Sequence, residues 1–329
     1  MPMLLIISLM VFLTNSWFSQ WMIMELNLIL FLSLIIFDKL NNSGISMNYF
    51  LIQSFNSYMF IMFSMNLNFF SCYLTNLMVF LINLNLLTKM GLPPFYFWYI
   101  KMSMFLNWIN LFNLMVIQKL IPLVILLNLS FLFMENLVNF NLMNLLIMSL
   151  VCALVGIQVM NLKVMMAYSS IIQMSWVLFL LYINDTMCLN YLMIYTMIYF
   201  LLMLIFSKFN LNYLSDLILL KFNYFWVYLV YMFVMFSMSS IPPFLGFLMK
   251  WISIQSMFMS YSFFVILLMI LNSMLSMFFY IRIMYLSLMN LSVSMKMNFL
   301  MINFYNSIYL NVLVFSWFMI FMLLVYEMF

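Results

Sequence analysis

Residues 70–98 read FSCYLTNLMVFLINLNLLTKMGLPPFYFW. The stretch 70–91 is an apolar run broken only by isolated Ser, Thr and Asn until it reaches Lys89, and it has the ~20-residue length that a helix needs to cross a hydrocarbon core. Behind the lysine come Gly91 and the consecutive prolines Pro93 and Pro94. Proline lacks the backbone donor and collides with the preceding turn, so two in succession end a helix. A span that places a lysine at its end and then breaks is the pattern from which the rest of the chain is read.

The whole chain shares this character. Of 329 residues 70% are hydrophobic and 5% charged, with ten Lys or Arg and six Asp or Glu. Soluble domains carry about 25% charged residues, so no water-facing surface can be assembled from this chain. The period-two alternation of a membrane barrel is missing, and helices are the remaining way to satisfy backbone groups in lipid. The fold class is therefore an all-α polytopic membrane protein. Apolar stretches predict spans near 3–19, 21–37, 48–66, 70–91, 108–128, 130–151, 165–183, 187–207, 224–241, 258–281 and 306–326, about 11 transmembrane helices. Trp17 and Trp21 stand where interfacial aromatic anchors belong. Polar connections are expected at Asp38–Gly44, Ser207–Asn223 and Ser287–Asn306, and residues 1–329 are read as a single transmembrane domain.

Composition also removes several chemistries. Histidine is absent, which excludes haem ligation by histidine, Ser-His-Asp catalysis and the usual zinc sites. Cys72, Cys152 and Cys188 have no paired spacing, so neither a disulfide framework nor a metal cluster is expected. The net charge of +4 is scattered, without a basic run that would suit nucleic acid. Met occurs 42 times and Phe 39, while alanine is confined to Ala153 and Ala167. Such a bias toward AT-rich codons fits an animal mitochondrial genome that reads ATA as Met; an AT-rich bacterial genome is the alternative. The N-terminus, Met1-Pro2-Met3, opens directly into apolar sequence without an Arg-rich presequence.

The pattern at residues 89–95 has a counterpart. Ile241-Pro242-Pro243-Phe244 matches Leu92-Pro93-Pro94-Phe95, and glycine is close by in each, Gly91 and Gly246. Two matching interruptions suit the internal repeats of transporters; a pair of ordinary turns is the competing reading. Lysines accompany both, Lys89 before the first and Lys250 after the second, while Lys119 precedes Pro122 and Glu25 lies one turn into the second span. A charge at the bilayer centre costs about 2.5–3.5 kcal/mol, so intramembrane charges are rare and usually functional. A buried ammonium gains or loses its proton according to whether a carboxylate stands nearby, which is the chemistry of a proton relay. Against this, Glu25 suits an interfacial position, and Lys119 and Lys250 have stems long enough to reach headgroups. Lys163, Lys208, Asp185 and Asp216 lie near span ends and read as solvated, as do Asp38, Lys39, Lys221, Lys296 and Glu327; Arg282 is expected to face a headgroup or partner.

At these motifs the chain resembles the animal, insect-like chain 2 family of mitochondrial NADH–ubiquinone oxidoreductase, membrane-arm subunits of respiratory complex I. The resemblance is carried by Trp21-Met22-Ile23-Met24-Glu25-Leu26-Asn27, by Lys89 to Trp98, by Gln118-Lys119-Leu120-Ile121-Pro122, by Ala167-Tyr168-Ser169-Ser170-Ile171 and by Ile241 to Trp251. It implies an antiporter-like architecture of inverted repeats, each with a helix broken at a Pro-Pro motif (Pro93 and Pro94; Pro242 and Pro243). It also implies a proton relay of Glu25, Lys89, Lys119 and Lys250, and a place in the mitochondrial inner membrane beside other membrane-arm subunits and lipid. NADH, flavin, iron–sulfur clusters and ubiquinone are then bound by other subunits, and this chain holds no cofactor and no metal. Tyr96 and Gln173 stand where many relatives have histidine, and Lys101 where many have glutamate. The function expected is proton translocation as part of an H+-translocating NADH:ubiquinone reductase. A stand-alone cation/proton antiporter and a purely structural scaffold remain the alternatives.

Overall fold

An apolar chain in lipid must satisfy its own backbone groups, and a helix does so within one segment. The computed structural model, which describes residues 2–37, 43–67, 72–130, 135–217 and 225–289, is accordingly built of helices. Helix α1 (Pro2–Met10) passes through a 3-10 turn (Val11–Leu13) toward α2 (Trp17–Phe37), α3 (Ser43–Asn66) and α4 (Cys72–Met90). Two short helices, α5 (Phe97–Phe105) and α6 (Trp108–Phe112), lead into a π turn (Asn113–Ile117) and α7 (Gln118–Ser130). The chain continues with α8 (Glu135–Gln158), α9 (Leu162–Leu181), α10 (Asp185–Phe209), α11 (Phe225–Ser239), α12 (Leu245–Met257) and α13 (Phe263–Met289).

Among the described residues five helical stretches are long and apolar enough to cross a membrane: Trp17–Phe37, Trp108–Leu129, Leu162–Leu181, Asp185–Phe209 and Phe263–Ser287. That is fewer than the sequence suggested. The helices α3 and α4 have the length, but α3 carries many Asn and Ser residues and α4 carries Asn, Thr and Lys89; the span expected at 306–326 lies outside the described residues, as do Asp38 to Asn42. The first expected span, 3–19, stops early. Thr14 is extended, its hydroxyl and its N–H both bond the Val11 carbonyl, and the Gln20 amide donates to the Thr14 carbonyl at 3.2 Å. Short polar side chains compete with the helix ladder in this way.

Helix α9 is the centre. Every residue in it is buried, the mark of a helix apolar on all sides. It packs against α8, α10, α13 and both of the short helices α5 and α12. Large apolar side chains on other helices, such as Phe37, Phe97, Phe263 and Met274, stand exposed as a lipid-facing surface requires.

The two Pro-Pro segments have closely similar local structure. At the end of α4, the Leu92 N–H bonds the Leu87 carbonyl and the Gly91 N–H bonds that of Thr88, with Gly91 left-handed at φ 66°. At the end of α11, Ile241 bonds Phe236 and Ser240 bonds Ser237, with Ser240 left-handed at φ 58°. Both are Schellman caps, which satisfy the last carbonyls of a helix. Past each cap the Pro93–Pro94 and Pro242–Pro243 peptide bonds are cis, and Phe95 and Phe244 bond back to Leu92 and Ile241, each at 3.0 Å. Side chains take further carbonyls at the first break: the Trp98 indole donates to Thr88 and Gln53 to Lys89, both at 3.1 Å.

One charge differs from its sequence reading. Lys163 is buried, its ammonium 5.8 Å from the Trp108 ring centroid, because the first turn of α9 lies inside the packed interior. The Arg282 guanidinium, half-buried, donates to the carbonyls of Ile157 and Val159. A cation at the C-terminus of α8 is favoured by the helix dipole.

Glycine is indispensable where α12 leans on the end of α11. A Cβ on Gly246 would sit 1.8 Å from the Ser237 carbonyl oxygen, a backbone atom unable to yield. Gly246→Ala is therefore expected to prevent folding, measured as protein recovered in a native membrane complex. Gly44→Ala, with nothing within 4 Å of its new methyl, is expected to leave recovery unchanged. Normal recovery of the Gly246 variant would contradict this packing.

Candidate functional site

Four residues with intramembrane charge were expected to matter, and all four lie at or near the interior. Lys119 is 1% exposed, Lys250 6% and Lys89 7%, while Glu25 is half-buried. None of the three lysines reaches bulk solvent along its stem, which sets aside the headgroup reading for Lys119 and Lys250.

Glu25 projects from α2 toward α3, where the Ser57 hydroxyl donates to its carboxylate. The Lys89 ammonium, near the end of α4, lies 3.2 Å from the sulfur of Met24, the residue before Glu25. Among the described residues it closes no ion pair with the carboxylate, although the two interact through space. Lys89 thus has two neighbours of very different strength, a thioether in contact and a carboxylate farther off.

Helix α2 also reaches the next lysine. Asn27 and Gln118 pair through their amides at 2.7 and 3.3 Å, and the Tyr49 hydroxyl donates to Gln118 at 3.4 Å. Lys119 follows Gln118 directly, between the π turn and Pro122. Such widened turns recur at functional sites, and Pro122 cannot donate to the Gln118 carbonyl. Within the π turn the fully buried Asn113 has neither amide atom hydrogen-bonded.

The Lys119 ammonium donates to the Ser170 hydroxyl at 3.3 Å and lies 4.6 Å from the Tyr99 ring centroid. A ring face at this distance partly replaces lost hydration. The hydroxyls of Tyr99 and Ser170 are 2.5 Å apart, and Ser170 donates to the Ala167 carbonyl at 2.8 Å. Since one hydroxyl has one proton, Ser170 must accept from both Tyr99 and Lys119. Helix α9 presents Gln173 one turn beyond Ser170, and Tyr191 on α10 donates to it at 2.5 Å. Tyr195 on the same face of α10 lies beside Ser170. Gln173, Tyr191 and Tyr195 then line a cavity of about 20 Å³ whose far wall is Ser237, Ser240, Gly246 and Lys250.

Polar residues thus recur through the interior as a broken file: Glu25 with Ser57, Lys89, Asn27 with Gln118, Lys119 with Ser170 and Tyr99, Gln173 with Tyr191, and Lys250 across the shared cavity. The sequence did not single out Tyr99, Ser170, Tyr191 or Tyr195 as site residues. Serines and tyrosines are scattered all along the chain, and only the packing of α5 and α10 on α9 selects these. Of the positions where the chain departs from relatives, Gln173 is in the file, Tyr96 caps the start of α5 stacked on Phe97, and Lys101 is exposed.

The model of the family described as NADH:quinone oxidoreductase/Mrp antiporter, TM matches residues 14–276. NADH-ubiquinone oxidoreductase chain 2 of Anopheles gambiae is 31% identical over 280 residues, which cover 83% of this chain and 80% of the relative. Among solved structures, a chain of respiratory complex I from Thermus thermophilus superimposes with a TM-score of 0.74 at 18% identity, over 83% of this chain and 66% of that one. A chain of the archaeal membrane-bound sulfane sulfur reductase gives 0.77 at 15% identity, over 95% and 69%. These two likenesses are of fold.

Ser170→Ala is expected to strand the Lys119 ammonium and to lower stability by about 1–3 kcal/mol, the cost of an unsatisfied buried polar group. Tyr99→Phe, which leaves the serine to accept from Lys119, is expected to lower it less. The thermal midpoint of the purified complex reads both, and an unchanged midpoint for Ser170→Ala would contradict the contact.

Proposed function

This chain belongs to the NADH:quinone oxidoreductase/Mrp antiporter membrane family, and on that footing we propose that it is a proton-translocating membrane-arm subunit of respiratory NADH:ubiquinone oxidoreductase. The observation that carries the reading is the broken interior polar file that includes three buried lysines. Redox chemistry belongs to companion subunits, and this chain contributes ionisable side chains alone. Its place is the mitochondrial inner membrane, among other membrane-arm subunits and lipid.

In this mechanism each Pro-Pro segment interrupts one membrane span, so that α4 with α5, and α11 with α12, are the halves of two broken helices in an inverted-repeat, single-domain architecture of about eleven spans. The Lys89 ammonium exchanges the Met24 sulfur for the Glu25 carboxylate. Closing that pair holds a positive charge near α2; opening it lets the charge act on Lys119, and Lys119 in turn on Lys250. Moving one charge against 100 mV requires about 2.3 kcal/mol, within what remaking one buried charged contact supplies. At the first break the carbonyls of Thr88 and Lys89 are held by the Trp98 and Gln53 side chains, which can release them.

Lys119→Ala in the assembled complex is expected to lower protons moved per electron while NADH oxidation by the redox arm persists. A scaffold would keep the ratio unchanged in every complex that assembles, and that result would refute the reading. A stand-alone antiporter would instead exchange cations for protons in liposomes holding this chain alone.

A further inference from the structure

Lys250 Nζ and Ser240 Oγ are both buried without a hydrogen-bond partner among the described residues, and their residues line the same small cavity as Tyr195, whose hydroxyl lies beside Ser170. The cavity measures about 20 Å³, room for one water, which needs roughly 10–15 Å³ and two to four polar partners. Tyr195 and Lys250 are 4% and 6% exposed, so bulk solvent does not serve either group.

Ser240 makes the case particular. It is the left-handed residue of the second helix cap, at φ 58°, where the first cap has Gly91 at φ 66°. Glycine takes this conformation freely and any residue with a Cβ resists it. Serine has nothing to offer the cap that glycine lacks, since the cap bonds are made by backbone N–H groups. What serine adds is a hydroxyl, buried and unpartnered, on a residue that lines the cavity of Lys250.

We propose that one water molecule, bound by Lys250 Nζ, Ser240 Oγ and Tyr195 Oη, joins Lys250 to the Lys119–Ser170 pair, with Ser240 as its positioning residue. The inference rests on the relay reading of Lys119 and Lys250. One proton leaves the Lys119 ammonium. Ser170 and then Tyr195 each take a proton on oxygen while releasing their own, the water does the same, and the neutral Lys250 amine receives the last. Lys119 ends as an amine and Lys250 as an ammonium; the hydroxyls and the water are unchanged. In this arrangement Gln173 does not carry a proton. Its amide oxygen accepts from Tyr191 and so holds α10, which bears Tyr195, against α9.

The test uses the whole complex with Ser240→Gly, Ser240→Ala and Lys250→Ala. Ser240→Gly relieves the backbone and is expected to assemble with an equal or higher thermal midpoint, yet to pump about tenfold more slowly, the effect of losing one hydrogen bond in a charged network. Ser240→Ala keeps the strained backbone and is expected to slow pumping equally. Full pumping by both serine variants, with Lys250→Ala impaired, overturns the water site alone. Full pumping by Lys250→Ala overturns the relay reading and this inference with it. A density map of the wild-type complex that resolves waters is expected to show one about 3 Å from both Lys250 Nζ and Ser240 Oγ; an empty cavity overturns the proposal.

Discussion

An ammonium group held in an apolar interior is tolerable only while other groups share its charge, and that constraint organises this protein. Lys119 has a serine oxygen and an aromatic face, Lys89 a thioether with a carboxylate nearby, and Lys250 a small polar cavity. None has the close carboxylate partner that would make burial comfortable and permanent. In the proposed relay each lysine responds to rearrangement next door. A stable buried ion pair in any of the three places would remove that responsiveness.

The helix that makes this possible is α9. Because it is buried on every side, residues on several of its faces touch other helices. Ser170 meets Lys119 and Tyr99, and Gln173 one turn later meets α10 and the Lys250 cavity. The short helices α5 and α12 both rest on it, so the segments that follow the two breaks share one support. The breaks themselves are nearly alike in hydrogen bonding but not in residue: glycine at one left-handed position and serine at the other. In a chain with four glycines, that difference marks where a hydroxyl is wanted more than an easy backbone.

Much of this was legible in the sequence. Helical membrane architecture followed from the scarcity of charge, and the burial of Lys89, Lys119 and Lys250 from their positions beside prolines. Spans near 165–183 and 187–207 agree with α9 and α10 to within three residues at either end. What stayed hidden had tertiary causes. Residues 97–105 and 245–257 form helices of their own because each Pro-Pro pair ends one ladder and a new one starts beyond it, and apolar composition alone does not mark such restarts. Lys163 resembles any lysine near a span end, yet the interior extends to the first turn of α9. Nothing in the sequence brings the end of α8 to Arg282, which bonds the carbonyls of Ile157 and Val159. The file-forming Tyr99, Ser170 and Tyr195 are three polar residues among dozens, chosen by helix packing alone.

The account depends on the lysines being sealed from water outside the protein, and amine labelling tests this most directly. The intact membrane complex would be treated with a water-soluble amine-reactive reagent and its lysines read by mass spectrometry, with the exposed Lys208 as the internal standard. Modification of Lys208 with Lys89, Lys119 and Lys250 untouched is the result expected. Labelling of those three at a rate comparable to Lys208 would show that they face bulk solvent, and the interior relay would have no basis.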